Sequence, residues 1–402
     1  MRYVLGVHLG ATRTTAAVCR SGTGPWGEPE VVPLEEPWLE SVLHVSPDGE
    51  LRAGQAALHR AAAEPERIAR SPLRRIGDTV PFVLGELTYP AETLAAGLLA
   101  LVADRVADSE GADAERIVVT HPPGWGGYRR GLLHEALDQA QLPGVLALPS
   151  PIAAAESHAE VAVGATLAVC RIGGTHVETA LLRRGPRGFE LLAHTEPPEL
   201  AAGAHLDELL VQHVLERASI DRQDTGAMAR LRAACTSAKE RLSQVGETTV
   251  FGDLRLTRAE FEELARPVLE VVVAAFERLV STVAAEQLAG ALVVGGTARI
   301  PLVRELAEAV LPCPVVIGDD PGTALCRGAA LAARPRVATA PAPASTSSSL
   351  ITTGHDLPAV YGGGADLEPP PARPPVEITP LEPPRRRFAL GRRASTERDE
   401  DR

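Results

Sequence analysis

The stretch ATLAVCRIGGTHVETALL, residues 165–182, joins a short apolar run to a half-apolar run through two adjacent glycines. This pattern predicts two antiparallel strands connected by a tight turn. The stretch YVLGVHLGATRTTAAV, residues 3–18, has a similar form near the N-terminus. Turn glycines allow backbone N–H groups to approach an anion closely. Two such hairpins, far apart in one chain, therefore indicate two copies of a phosphate-binding device.

Composition narrows the functional classes. The chain has 402 residues, of which 45% are hydrophobic, and this allows two or more lobes with large cores. A net charge of −12 argues against nucleic acid as a partner. The five cysteines have no metal-ligand spacing, so we expect reduced thiols and no metal site. Without a recognisable signal peptide or membrane span, the sequence suggests a cytoplasmic protein.

Strand patterns alternate with helix patterns along the first 334 residues. Residues 116–126 are typical of a buried strand stopped by two prolines, and residues 91–108 and 127–141 have helical spacing. From residue 201 onward the pattern is mostly helical, and residues 291–310 predict a strand, a glycine turn and a helix. This alternation indicates an α/β architecture.

The composition changes after residue 334. Residues 335–386 are rich in Pro, Ala, Ser and Thr, and residues 385–402 are densely charged. Such a segment buries too little apolar surface to offset its ordering entropy, so residues 335–402 are predicted to form a disordered tail. The proline run at 369–375 suits a protein partner that recognises polyproline. The string GRRAS resembles a kinase site, in which a phosphate on Ser395 would add charge.

Three glycine-centred segments resemble those of the nucleotide-binding domain of the 70-kilodalton heat-shock chaperones, within the actin, sugar-kinase and chaperone superfamily. LGVHLGATRTTAAV resembles the first phosphate loop, VCRIGGTHVETALL the second, and VVGGTARIPLVRELAEAV the adenosine-binding segment. Two more stretches, at 230–243 and 256–270, resemble helices found in the chaperones rather than in kinases or actin. The resemblance covers residues 1 to about 334.

This resemblance implies an actin-like, two-lobed ATPase fold in which duplicated βββαβα units flank a central nucleotide cleft. Lobe I is expected at about 1–160 and lobe II at about 161–334. The implied ligand is ATP or ADP. Lys239, the chain's only lysine, and Ser243 match family positions that approach the ribose and base. The full set of candidate nucleotide-binding residues is Gly10, Thr12, Arg171, Gly173, Gly174, Thr175, Gly203, Lys239, Ser243, Gly295, Gly296 and Arg299.

Four positions that the family uses for catalysis depart from its pattern. His8 and Arg171 stand where the family has loop aspartates, Ser150 replaces its catalytic glutamate, and Leu58 replaces its phosphate-contacting lysine. Glu240 occupies the place of the arginine that packs on adenine. In such sites carboxylates hold the hydrated Mg²⁺ and help to place the attacking water. The replacements therefore predict weak or absent hydrolysis and leave no catalytic residue to name.

Arg171 has two possible roles. A guanidinium binds phosphate through two parallel hydrogen bonds without any metal, which suggests a nucleotide or anion site that works without Mg²⁺. Alternatively, Arg171 pairs with a nearby acid such as Glu178 across a cleft that no longer binds a ligand. The sequence leaves both roles open.

Three functions remain open at this stage. The first is a degenerate nucleotide-binding switch or scaffold, because residues 335–402 are too few and too rich in proline for the family's client-binding domain. The second is a working ATPase of the chaperone family with a rearranged site. The third is a filament-forming actin-like protein or a carbohydrate kinase relative.

Overall fold

A computed structural model of the protein describes residues 1–22, 24–35, 39–158, 161–196 and 202–335. Met1–Arg334 form one compact unit. The predicted disorder of the tail, its proline run and Ser395 concern residues outside the described part and stay predictions. The proposed lobe boundaries likewise stay predictions. In the described residues, every helix is too short or too polar to cross a bilayer.

The first half of the unit contains two short 3₁₀ turns, at Pro65–Arg67 and Pro72–Arg75. Its strands and helices, in chain order, are β1 (Arg2–Leu9), β2 (Arg13–Ser21), β3 (Glu30–Val32), β4 (Leu39–Glu40), β5 (Val42–Val45), β6 (Leu51–Ala53), α1 (Gln55–Ala61), β7 (Ile68–Arg70), β8 (Phe82–Leu84), β9 (Leu87–Tyr89), α2 (Ala91–Glu110), β10 (Ile117–His121), α3 (Gly127–Gln139), β11 (Leu146–Pro149) and α4 (Ser150–Glu156).

The second half contains 3₁₀ turns at Ala285–Gln287 and Gly296–Arg299. Its strands and helices are β12 (Thr166–Ile172), β13 (Val177–Gly185), β14 (Gly188–Thr195), α5 (Gly203–Arg217), α6 (Thr225–Leu242), β15 (Glu247–Thr249), β16 (Arg255–Thr257), α7 (Arg258–Val280), β17 (Leu288–Val294), α8 (Pro301–Val310), β18 (Val315–Val316) and α9 (Ala324–Ala333).

Each half is built around one mixed sheet, and the two sheets have the same topology. The first has the order β11-β10-β1-β2-β3, with β4 also beside β2, and the second has the order β14-β13-β12-β17-β18. Among the five strands of each order, the first three in the chain are antiparallel. The fourth of the five then lies parallel beside the first, and the fifth lies parallel beside the fourth. Helices α2, α3 and α4 interleave with the parallel strands of the first sheet, as α7, α8 and α9 do in the second. The predicted α/β class and the actin-like duplication are confirmed.

The central strands are buried on both faces, which explains their nearly continuous apolar sequences. Leu5 and Val7 of β1 belong to the main core of the first half, whereas Val4 packs with α9 on the opposite face. Helix α9 thus leaves the second half of the chain and covers the first sheet. Two glycines permit this crossing: a Cβ on Gly6 would lie 2.1 Å from the amide nitrogen of Ala330, and one on Gly328 would lie 1.6 Å from the carbonyl oxygen of Ala153.

Helix α6 carries the candidate residue Lys239 and is capped by a second, Ser243, and its sequence fixes which face is buried. Asp224 caps its N-terminus by accepting a hydrogen bond from the Ala227 amide at 2.9 Å. Its buried positions recur at helical spacing, at Leu231, Cys235, Ala238 and Leu242. Lys239, between Ala238 and Leu242, and the C-cap residue Ser243 line a cavity between the halves.

Candidate functional site

The two glycine turns predicted from the sequence have the same backbone hydrogen bond. Gly10 N–H donates to the Arg13 carbonyl at 3.1 Å, and Gly173 N–H donates to the His176 carbonyl at 2.8 Å. The turns also face each other, since a Cβ on Gly174 would lie 2.6 Å from the Thr12 side chain. Two opposed turns of this kind present backbone N–H groups from both halves to one space.

That space is a cavity of about 700 Å³ lined by both halves of the unit. Gly203 does not line it but lies directly behind the second turn, where its N–H donates to the Gly173 carbonyl at 3.1 Å. The other eleven predicted binding residues do line it, namely Gly10, Thr12, Arg171, Gly173, Gly174, Thr175, Lys239, Ser243, Gly295, Gly296 and Arg299.

Neighbouring segments hold the second turn rigidly. The Thr297 hydroxyl donates to the Gly173 carbonyl at 3.1 Å, and the Ala204 amide donates to the Gly174 carbonyl at 2.5 Å. Gly295 has a φ of 99° and sits so close to β12 that a Cβ would lie 2.3 Å from the Ile172 carbonyl oxygen. A side chain at Gly295 would therefore move the turn itself.

Arg171 and Glu178 form a buried ion pair beside the second turn. They are cross-strand partners on β12 and β13. Arg171 donates from Nε to Oε2 of Glu178 at 3.1 Å and from Nη2 to Oε1 at 2.7 Å. The Ser150 hydroxyl donates to Oε2 as well, at 2.5 Å. Glu178 thus connects three of the positions at which the chain departs from the family pattern. Arg171 and Ser150 donate hydrogen bonds to its carboxylate, and His8 interacts with it electrostatically.

The charge state of this pair follows from its surroundings. Burial raises the pKa of Glu178, but the charge and hydrogen bonds of Arg171, with the hydrogen bond from Ser150, outweigh burial and lower it to about 2. The Glu178 side chain is 1% exposed, whereas that of Arg171 is 13% exposed and reaches the cavity. Its Nη1 lies on the side of the second turn, 2.9 Å from where a Cβ on Gly173 would be.

His8 lies at the first turn and is neutral. Its Nδ1 is hydrogen bonded to the Thr120 hydroxyl at 2.7 Å, and its Nε2 lies beside Gly10. Burial and, to a smaller extent, the nearby charge of Arg171 together lower the pKa of His8 to about 3, against the opposing charge of Glu178. At neutral pH this position therefore carries an uncharged imidazole where the resemblance implies a carboxylate.

Replacing His8 with asparagine is expected to make stability less sensitive to acid. Between its ordinary pKa of 6.5 and its folded value of about 3, His8 binds a proton in the unfolded chain but not in the folded one. Stability therefore falls as the pH falls through this window, by up to about 1.4 kcal/mol per pH unit. The asparagine amide can keep the Thr120 contact and does not titrate.

Urea unfolding across this pH window measures the effect. The same replacement at His59, which is exposed on α1, controls for the loss of a histidine elsewhere. A slope of unfolding free energy against pH that is identical in His8→Asn and the unaltered protein would contradict the proposed burial of a neutral imidazole.

Two more ion pairs line the cavity. Lys239 donates to the Gly203 carbonyl at 2.9 Å and lies 2.8 Å from Oδ1 of Asp207. The Ser243 hydroxyl donates to the Lys239 carbonyl at 3.4 Å. Arg299 pairs with Asp320. Lys239 and Arg299 thus reach the cavity already paired with carboxylates.

The order of the segments now points to one family. The family model described as Hsp70 protein matches residues 4–339, which is most of the chain. The chain belongs to the Hsp70 family. The predicted resemblance is thereby confirmed.

Several curated Hsp70 proteins are similar to the chain. It is 26% identical over 362 residues to the chaperone protein DnaK of Nitrosopumilus maritimus, a match that covers 83% of this chain and 56% of that protein. It is 29% identical over 363 residues to the chaperone protein HscA of Serratia proteamaculans, covering 83% and 58%. The chain therefore spans little more than half the length of these relatives.

Hsp70 membership implies a magnesium–nucleotide complex, and the residues at the glycine turns do not suit the metal. Mg²⁺ is usually held through carboxylates. The corresponding groups in this chain are the guanidinium of Arg171, the neutral imidazole of His8 and the Ser150 hydroxyl, which already donates to Glu178. The oxygens of Glu178 accept three hydrogen bonds from Arg171 and Ser150. Within the described ranges, no three His, Cys, Asp or Glu side chains converge as a metal site.

Leu58 is a further departure from the family pattern. It lies on α1 and is not among the residues that line the cavity, so nothing replaces the family's lysine from that helix. The sequence did not identify four residues that line the cavity, namely Arg13, Glu40, Asp207 and Asp320. It identified Glu178, the partner of Arg171, only as an alternative. The pairing of Glu178 with Arg171 could have been predicted from the sequence, because the two residues are equally distant from the ends of the second turn.

Proposed function

We propose that this Hsp70-family chain is a nucleotide-binding switch that holds ATP or ADP without Mg²⁺ and hydrolyses ATP weakly or not at all. The observation that carries the proposal is the buried Arg171–Glu178–Ser150 network, which stands at the glycine turns in place of metal-binding acids. It supplies a fixed positive group at the point where phosphate is expected, and it removes the free carboxylates.

Binding is supported by what the turns retain. Gly10 and Gly173 begin closed turns whose backbone can approach an anion, and Thr12 adds a hydroxyl beside them. The Nη1 side of Arg171 is directed toward the same space. A guanidinium makes charge-assisted, geometrically specific bonds to phosphate, and so it supplies the charge neutralisation that a metal would otherwise provide.

Hydrolysis is disfavoured by the same contacts. A water that attacks phosphate needs an acceptor to orient it and groups that stabilise the developing charge. Glu178 accepts hydrogen bonds on both oxygens, and the Ser150 hydroxyl donates to it. Each missing group of this kind typically lowers the rate by about 100-fold or more, and several are missing together.

A working ATPase with a rearranged site is the second candidate. His8 favours it in one respect, because Nε2 lies beside the first turn where a base could face a water. However, a general base works best with a pKa near the operating pH, and the pKa of His8 is about 3. The family match over residues 4–339 supports both candidates over the actin-like and carbohydrate-kinase alternatives.

The cellular location and a partner for the proline run also stay proposals. A cytoplasmic location fits the five scattered free cysteines of the described residues, four of which are buried. A protein partner for the proline run at 369–375 rests on composition alone, because that run lies outside the described part of the chain.

Paired binding and turnover measurements test the proposed function. The full chain is incubated with ATP and Mg²⁺, binding is followed by equilibrium dialysis, and conversion to ADP is followed by chromatography. We expect bound ATP to be recovered intact. Repeated turnover would contradict the loss of hydrolysis, and the absence of any bound nucleotide would contradict the switch altogether.

A further inference from the structure

An ion pair connects the two halves of the unit at the cavity. Nη2 of Arg13 lies 2.7 Å from Oε1 of Glu240. Arg13 is the first residue of β2 and directly follows the first glycine turn, whereas Glu240 lies in the last turn of α6. Arg13 also contacts Glu40 on its own side, with 3.3 Å between Nε and Oε1. The guanidinium is thus anchored in the first half while it reaches across to the second.

This pair lies at the rim of the cavity. Both residues line the cavity, as do Arg171 and the turns. Their side chains are 26% and 41% exposed, far more than those of Arg171 and Glu178. The exposed lining residues mark the side that opens to solvent, and the buried ones mark the floor. The Arg13–Glu240 pair therefore bridges the two halves on a solvent-exposed side of the cavity.

We propose that the Arg13–Glu240 pair is a clasp that controls the entry and release of a nucleoside polyphosphate. This inference rests on the proposed nucleotide-binding function. Because one partner belongs to each half, the halves cannot separate at the rim without breaking the pair. An exposed ion pair is weak, so it opens readily and delays passage rather than preventing it. Its removal therefore changes rates severalfold and does not abolish binding.

Stopped-flow kinetics with a fluorescent ADP derivative test the clasp on the full chain. In Glu240→Gln and in Arg13→Gln, dissociation is expected to be roughly two- to fivefold faster than in the unaltered protein. The double variant is expected to match the single ones, because all three lose the same interaction. Glu305→Gln breaks an exposed pair with Arg266 on α7 and α8, at 3.1 Å, and serves as the matched control with unchanged rates.

Salt provides a second measurement. Exposed charges are screened at high ionic strength, so salt is expected to raise the dissociation rate of the unaltered protein toward that of Glu240→Gln. Equal rates in the unaltered protein and the Glu240→Gln variant at low salt would overturn the clasp and leave the proposed function intact. A failure of the unaltered protein to bind the ADP derivative would instead overturn the proposed function, and the clasp with it.

Discussion

Replacing Glu178 with leucine is expected to lower the free energy of unfolding by about 3–5 kcal/mol, which is the cost of leaving one partner of a buried ion pair uncompensated. The guanidinium of Arg171 would lose both of its hydrogen bonds to the Glu178 carboxylate, and the Ser150 hydroxyl would lose its acceptor. Leucine has a similar volume to glutamate, so the loss reflects charge and hydrogen bonding rather than a cavity. Urea unfolding with a spectroscopic signal measures it.

The adjacent hairpin, formed by β13 and β14, offers a matched control. Glu190 on β14 is the cross-strand partner of Arg183 on β13, and the two charges lie 3.1 Å apart. That pair is exposed, so Glu190→Leu is expected to cost less than about 1 kcal/mol. Equal losses for Glu178→Leu and Glu190→Leu would contradict the buried, mutually dependent network.

Replacing both members of the pair is expected to separate folding from binding. In the Arg171→Met and Glu178→Gln double variant no buried charge remains, and the glutamine carbonyl can still accept from Ser150. Because a buried ion pair exchanged for neutral groups of similar volume is often close to neutral in stability, we expect a folded protein. Nucleotide affinity is expected to fall about ten- to hundredfold, the usual worth of hydrogen bonds from a charged group.

Calorimetric titration with ADP and urea unfolding are needed together for this variant. The corresponding exposed change, Arg183→Met with Glu190→Gln, is expected to alter neither measurement. A stably folded double variant that binds ADP as tightly as the unaltered protein would show that Arg171 is not a phosphate ligand. The Arg171–Glu178 pair would then have a purely structural role.

The hairpins could be predicted from the sequence because the chemistry of a tight turn is local. Gly10 and Gly173 lie between strands whose apolar runs identify both partners, and the repeated pattern revealed the duplication. The pairing of Arg171 with Glu178 was within reach for the same reason, since the register across one hairpin follows from the turn.

The contacts across the cavity could not be predicted in this way. Arg13 and Glu240 are far apart in sequence, and their meeting depends on how α6 packs against the second core and on how α9 joins the halves. Likewise, Asp207 meets Lys239 because α5 and α6 lie side by side. Local propensity carries no information about such tertiary neighbours. The sequence therefore identified Arg171, Lys239 and Arg299 but not Arg13, and it named only Glu178 as a carboxylate partner.

The most direct test of metal-independent binding is calorimetric titration of the full, unaltered chain with ADP, first with excess Mg²⁺ and then with a chelator. We expect the same Kd in both titrations, because the positive charge that faces the phosphates belongs to Arg171 and not to a metal. Binding that requires Mg²⁺ would contradict this assignment and would mean that carboxylates elsewhere in the cavity hold the ion.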